Sequence, residues 1–209
     1  MTRRRWTGLT TGLAFVLLTA CTPARVAVWS TGRVYHDPRL SSTPLSSMAV
    51  LPLQNTRRGP QIAIALTSDV VTELRSRNPH LTIMGPAAVQ ERLNATRLIG
   101  TYAQFLCDYG TSGLLDTAAL TKIAHALGVD ALVQGEIAHL DQHDGDRSHP
   151  ASTTLTLHYS IIALKAGVLL WDSSVTLRYQ SPAVHKAPDL EDVVPIAHSL
   201  LLTQMPTFP

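Results

Sequence analysis

From residue 48 onward the chain switches between two hydrophobic periods. Met48-Ala49-Val50-Leu51-Pro52-Leu53 is an almost unbroken apolar run of strand length, which suits a strand covered on both faces. Between Gln61 and Arg77 the period lengthens. Ala63, Leu66, Val70 and Leu74 share one helical stripe, while Thr67, Ser68, Thr72, Glu73 and Arg75 fall elsewhere. Asn78-Pro79 stops that helix, because the residue before a proline is pushed out of helical backbone. Leu81-Thr82-Ile83-Met84 predicts a second short strand, and Gly85-Pro86 opens a helix to about Leu98 with proline in an allowed first-turn position. Asp116 reads as the N-cap of a helix ending at Leu127, with Leu120, Ile123, Ala124 and Leu127 as its apolar face and Gly128 as its stop.

Past Gly128 the period becomes two. Ala131 to Asp141 predicts a strand. Leu155, Leu157, Tyr159, Ile161 and Ala163 then alternate with Thr154, Thr156, His158 and Ser160. Lys165-Ala166-Gly167 turns the chain, and Leu169, Trp171, Val175, Leu177 and Tyr179 continue the alternation on the way back, so a hairpin is expected. Leu190 to Leu202 is a last amphipathic helix, interrupted or begun late at Pro195. This order implies an α/β fold: one domain over residues 47–205, a mixed sheet with helices packed on it.

The first 46 residues follow neither period for long. Arg3, Arg4 and Arg5 precede an apolar run from Gly12 to Leu18, too short to span a bilayer, which ends in Leu18-Thr19-Ala20-Cys21. This pattern describes an export signal over residues 1–20, and its end resembles the bacterial lipobox, in which the cysteine is acylated and becomes the mature amino terminus. The resemblance implies a lipid on Cys21. With Thr22 rather than aspartate next in line, it also implies delivery to the outer membrane on its periplasmic side. Residues 21–46, with Pro23, Pro38, Pro44 and several serines, read as a tether. Fully extended it would reach roughly 80 Å, less if Arg25-Val26-Ala27-Val28-Trp29 docks on the domain.

Charge adds a constraint. The whole chain has 17 basic and 15 acidic residues, and loss of the three signal arginines leaves no basic excess to neutralise phosphates. No nucleic-acid partner is expected. Of the two cysteines the lipobox claims one, which leaves Cys107 without an intramolecular partner; a small buried apolar residue is its expected role.

Two segments then carry a family likeness. Val50-Leu51-Pro52-Leu53-Gln54-Asn55 followed by a helix resembles the opening of the TolB amino-terminal domain and its lipoprotein relatives, which include the curli-secretion (CsgG-like) lipoproteins and the lipoprotein activators of penicillin-binding proteins. Leu127-Gly128-Val129-Asp130-Ala131-Leu132-Val133-Gln134-Gly135-Glu136-Ile137 is similar to their Leu-Gly-x-Asp, strand, Gly-x-Ile segment, and Gly167-Val168-Leu169-Leu170-Trp171 to their late turn and strand. The resemblance implies non-enzymatic work in the cell envelope: binding a protein partner, assembly, or a place in a ring-forming secretion complex as a homo-oligomer. The chain lacks the pair of extra alternating hairpins that each subunit of a membrane-crossing barrel would supply.

Candidate chemistry is sparse. His139-Leu140-Asp141-Gln142-His143-Asp144-Gly145-Asp146-Arg147-Ser148-His149 gathers metal-ligand residue types between two strands, with His139, His143, Asp144 and Asp146 as the candidate ligands; a solvated turn is the plainer reading. The cluster Tyr102, Phe105 and Tyr109 is either a helix packing its aromatics inward, the favoured reading, or a partner-binding patch. His125 is expected in solvent, His158 exposed or covered by a helix, and His198 near a helix carbonyl end. No nucleophile elbow, P-loop, dinucleotide fingerprint or His-Glu-x-x-His occurs. No enzyme activity, catalytic residue or cofactor is expected, and the metal-dependent reading ranks last.

Overall fold

A computed structural model describes residues 25–31, 34–54, 59–112, 114–146, 148–181 and 186–208. Residues 1–24, with the expected signal and Cys21, lie outside the described residues. The strands are β1 (Arg25–Thr31), β2 (Tyr35–His36), β3 (Ser47–Val50), β4 (Thr82–Met84), β5 (Ala131–His143), β6 (Ala151–Ala163) and β7 (Val168–Ser181). The helices are α1 (Gly59–Arg77), α2 (Pro86–Ala95), α3 (Ile99–Ser112), α4 (Thr117–Leu127) and α5 (Leu190–Leu202), with a 3-10 turn at Leu40–Ser42. They form one mixed sheet in the order β1-β7-β6-β5-β3-β4, with β2 also paired to β7. β3 runs parallel to β4 and β5, and the remaining pairs are antiparallel. The α/β fold read from the sequence is the fold observed.

The two periods explain the layers. On one face α1 packs Leu66, Val70 and Leu74, and α5 packs Val193, Val194 and Ala197, against Val50, Leu155, Leu157, Tyr159 and Ile161. On the other face Val89 and Leu93 of α2, Tyr102 and Phe105 of α3, and Leu120, Ile123 and Leu127 of α4 cover Ala49, Leu51, Leu132 and Ile162. Met48, Ala49 and Val50 of β3 alternate between these layers, which is why all three are apolar. The second face changes character toward the outer ends of β5, β6 and β7. There Thr154, Thr156, His158, Ser174 and Thr176 are partly exposed, an open polar surface on an otherwise covered sheet.

The local signals act as their chemistry dictates. The Asp116 carboxylate caps α4 by accepting from the Ala118 and Ala119 amides, and Gly128 closes the helix in the left-handed region (φ 68°). Asp130 accepts from the Ser46 amide at 3.0 Å and hydroxyl at 2.7 Å, and from Lys165 Nζ at 3.0 Å. It therefore ties the start of β5 to the start of β3. The Ser46 hydroxyl leads these interactions in holding the Asp130 carboxyl well below the usual range.

Several expectations need correction. Residues 25–31 and 35–36, inside the expected tether, are strands paired to β7, and Leu40 and Leu45 are buried in the core. An unpaired β7 would expose a long backbone edge, and β1 and β2 cover it. β5 runs two residues beyond Asp141. α5 begins at Leu190 and passes through Pro195. Cys107 is exposed on the outer side of α3, because Tyr102 and Phe105 take the inward positions. His198 is buried, and its Nε2 lies 2.9 Å from the Tyr159 hydroxyl. Leu169 and Trp171 do not share a face: a bulge at Leu170 separates them, sending Trp171 to the α1/α5 layer.

Candidate functional site

Three adjacent strands place a charged row on the open face. In the β5–β6 register Glu136 stands opposite His158, and in the β6–β7 register His158 stands opposite Ser174 and Ser160 opposite Asp172. Asp172 is therefore the diagonal neighbour of His158, within reach of a side chain. The imidazole bridges the two acids, with Nδ1 3.2 Å from Glu136 Oε1 and Nε2 2.7 Å from Asp172 Oδ2. All three side chains are about one-quarter to one-third exposed.

Burial pulls the His158 pKa down, but the hydrogen bonds to Asp172 and Glu136, reinforced by both charges, carry it up to about 9. The His158 hydrogen bond in turn lowers the Glu136 pKa against the effect of burial. Tyr109, near the end of α3, borders the row. Its ring stacks on Phe105 at 6.0 Å between centroids, and burial followed by the charges of Asp172 and Glu136 raises its pKa. At neutral pH the row is thus a fixed imidazolium between two carboxylates. Both ring nitrogens are engaged, so His158 has no lone pair with which to accept a proton from a substrate. The arrangement presents fixed charge on the open face.

A bulge sets the register that assembles this row. With Ala163 opposite Val168, an unbroken hairpin would put Asp172 opposite Tyr159, on the apolar face. The extra residue Leu170 shifts the register and turns Asp172 to the side of His158. A second bulge at Ala138 likewise re-aims His139, which then pairs with Thr156 on the open face. Strand alternation marks both His158 and Asp172, the latter in phase with Ser174 and Thr176, as outward polar positions; the register that brings them together with Glu136 is what it does not give.

The residues singled out from the sequence fall in two places. Tyr102 and Phe105 are buried in the layer of α2, α3 and α4, and Tyr109 is half-buried beside them, so the aromatics pack inward as favoured. His139 and His143 lie on β5 itself. His143 Nε2 contacts Asp141 Oδ2 at 2.9 Å, Asp144 Oδ1 accepts from the Ala187 amide at 2.8 Å, and Asp146 accepts from the Ser148 and His149 amides. These contacts do not gather the four into one centre, and among the described residues no group of three or more His, Cys, Asp or Glu is placed to hold a metal ion. Another pair, not anticipated, is Tyr159 and His198. Burial lowers the His198 pKa to about 4, and its Nδ1 has no partner in the core.

No protein-family model matches the chain, and no curated protein matches its sequence. Among solved structures it is similar to the PelC dodecamer from Paraburkholderia phytofirmans, at 13% identity and a TM-score of 0.48 over 87% of this chain and 96% of that one. It is similar to the lipoprotein GNA1162 from Neisseria meningitidis at 15% identity and a TM-score of 0.45, over 76% and 96% of the two chains. The LpoB C-terminal domain from Escherichia coli aligns at 13% identity and a TM-score of 0.36, over 63% and 81%.

Proposed function

We propose that this chain is a non-enzymatic binding module of the bacterial cell envelope, anchored to the periplasmic side of the outer membrane through a lipid on Cys21 and engaging a protein partner. The observation that carries the binding role is the Glu136–His158–Asp172 row: fixed charge on an open polar face, with no free imidazole nitrogen. The address rests on Arg3-Arg4-Arg5, the apolar run and Leu18-Thr19-Ala20-Cys21. Among the described residues no helix is long and apolar enough to cross a membrane.

Crosslinking of the full-length protein in intact cells, followed by mass spectrometry, tests the binding role. Capture of one heterologous envelope protein, lost in a Glu136→Gln/Asp172→Asn variant that remains folded, is the expected result. A ladder of self-multimers alone would replace this reading with a ring subunit. Release of a Cys21→Ser variant from membranes is expected in parallel, and its retention there would count against the lipid.

A further inference from the structure

The geometry points to a membrane-facing end of the domain: residues 144–146 and 148–149 between β5 and β6, with the segment 186–189 packed on them, rest against phospholipid headgroups. This inference rests on the lipid anchor at Cys21 proposed above. β1 starts at Arg25, paired with Gln180 near the end of β7, and runs antiparallel to it. The chain before Arg25 therefore leaves the sheet at the end where β7 finishes, where β6 begins opposite it (Ala151 with Ser181) and where β5 finishes (His143 with Ser152). Only four residue steps separate Cys21 from Arg25, a reach of at most about 14 Å. A headgroup layer is itself roughly 5–8 Å deep. With β1 beginning at Arg25, only about 6–9 Å of reach remains beyond the headgroups, too little for the domain to turn its other end toward the bilayer.

The end so placed is built to lie on a polar surface. Asp144 accepts from the Ala187 amide, and Gln142 and Thr153 both donate to the Pro188 carbonyl, at 2.9 and 2.7 Å. Loop and segment therefore form one braced platform. His149, 3.3 Å from Asp146, and Lys186, 3.2 Å from Asp189, lie on its surface with 79% and 72% of their side chains exposed. The opposite end, with the turn at Lys165-Ala166-Gly167, lies a β6 length away. That is about 40 Å for 13 residues, so it faces the compartment. The exposed Leu114, between α3 and α4, belongs to the far side with Thr117, whose side chain abuts Gly167.

The test uses full-length acylated protein in phosphatidylethanolamine/phosphatidylglycerol vesicles, in a Cys107→Ser background, with a nitroxide at Ser148→Cys or Ala166→Cys. Intact mass shows separately whether Cys21 carries the lipid. A lipid-borne nickel chelate should quench the Ser148→Cys label and spare the Ala166→Cys label. Inserting a flexible Gly/Ser segment between Ala24 and Arg25 should abolish the difference. Acylated protein with both labels equally spared, or with Ala166→Cys quenched instead, overturns the orientation alone. An unacylated Cys21 overturns the orientation together with the anchor beneath it.

Discussion

His158 on β6 holds two carboxylates that stand on the strands to either side of it. Its pKa in the fold, about 9, stands above the ordinary value of 6.5. Its stabilising contribution is therefore complete below about pH 6.5 and disappears as the pH rises through about 9. Replacement by glutamine removes the imidazolium and leaves Glu136 and Asp172 unneutralised. The shift converts to about 3 kcal/mol; with part of each side chain in water, His158→Gln should cost about 2 kcal/mol at pH 6. The gap to wild type should narrow toward zero by pH 10. Urea unfolding across that range checks it. A gap unchanged with pH would show that the residue acts through packing alone.

At the scale of elements, β5 and β6 meet where Gly135 stands opposite Tyr159. A Cβ on residue 135 would run into Cζ of the tyrosine, and the ring cannot swing aside without breaking its hydroxyl contact with the buried His198. Gly135→Ala should therefore destabilise by about 2–3 kcal/mol, as overpacking in a filled core does. In a Gly135→Ala/Tyr159→Leu protein the two costs should fall short of additivity, because the second change removes the obstruction. Full additivity in urea unfolding would mean that the ring is not what the methyl meets. The Gly-x-Ile segment is visible in the sequence, but the reason for its glycine lies on the next strand. The same division holds elsewhere. α1 and α4 were legible from a helical stripe with stops and a cap, and the β6–β7 hairpin from alternation around one turn, since those signals are local. β1 was not legible, because Arg25-Val26-Ala27-Val28-Trp29 becomes a strand only through a partner about 150 residues later in the chain. The bulge at Leu170 was not legible: alternation puts Trp171, Val175, Leu177 and Tyr179 on the face where they pack but gives Leu169 the same face, and the bulge turns Leu169 to the other layer.

The whole molecule is larger than its periodic part, and this has a measurable consequence. Sequence periodicity bounds the domain at residues 47–205, yet Leu40 and Leu45 before that span, and Phe208 after it, are buried in the core of the α1/α5 face. Phe208 also donates its amide to the Asn78 side chain at 3.1 Å, and the Asp37 amide bonds the Leu170 carbonyl at 2.9 Å. Removing two buried leucines costs about 2–5 kcal/mol each and a buried phenylalanine about 3–5. The total stability of a domain is about 5–15 kcal/mol. A 47–205 fragment thus loses an amount comparable to everything it has, and it uncovers β7 as a 14-residue edge alternating apolar and polar residues. We expect that fragment to associate and to melt without a cooperative transition, whereas residues 22–209, which keep β1, β2 and Phe208, should melt cooperatively as a soluble species. Calorimetry with light scattering on the two proteins decides it. Equal, cooperative melting would show that the strands ahead of residue 47 merely rest on the sheet, and it would restore the long tether and remove the constraint that brings one end of the domain to the membrane.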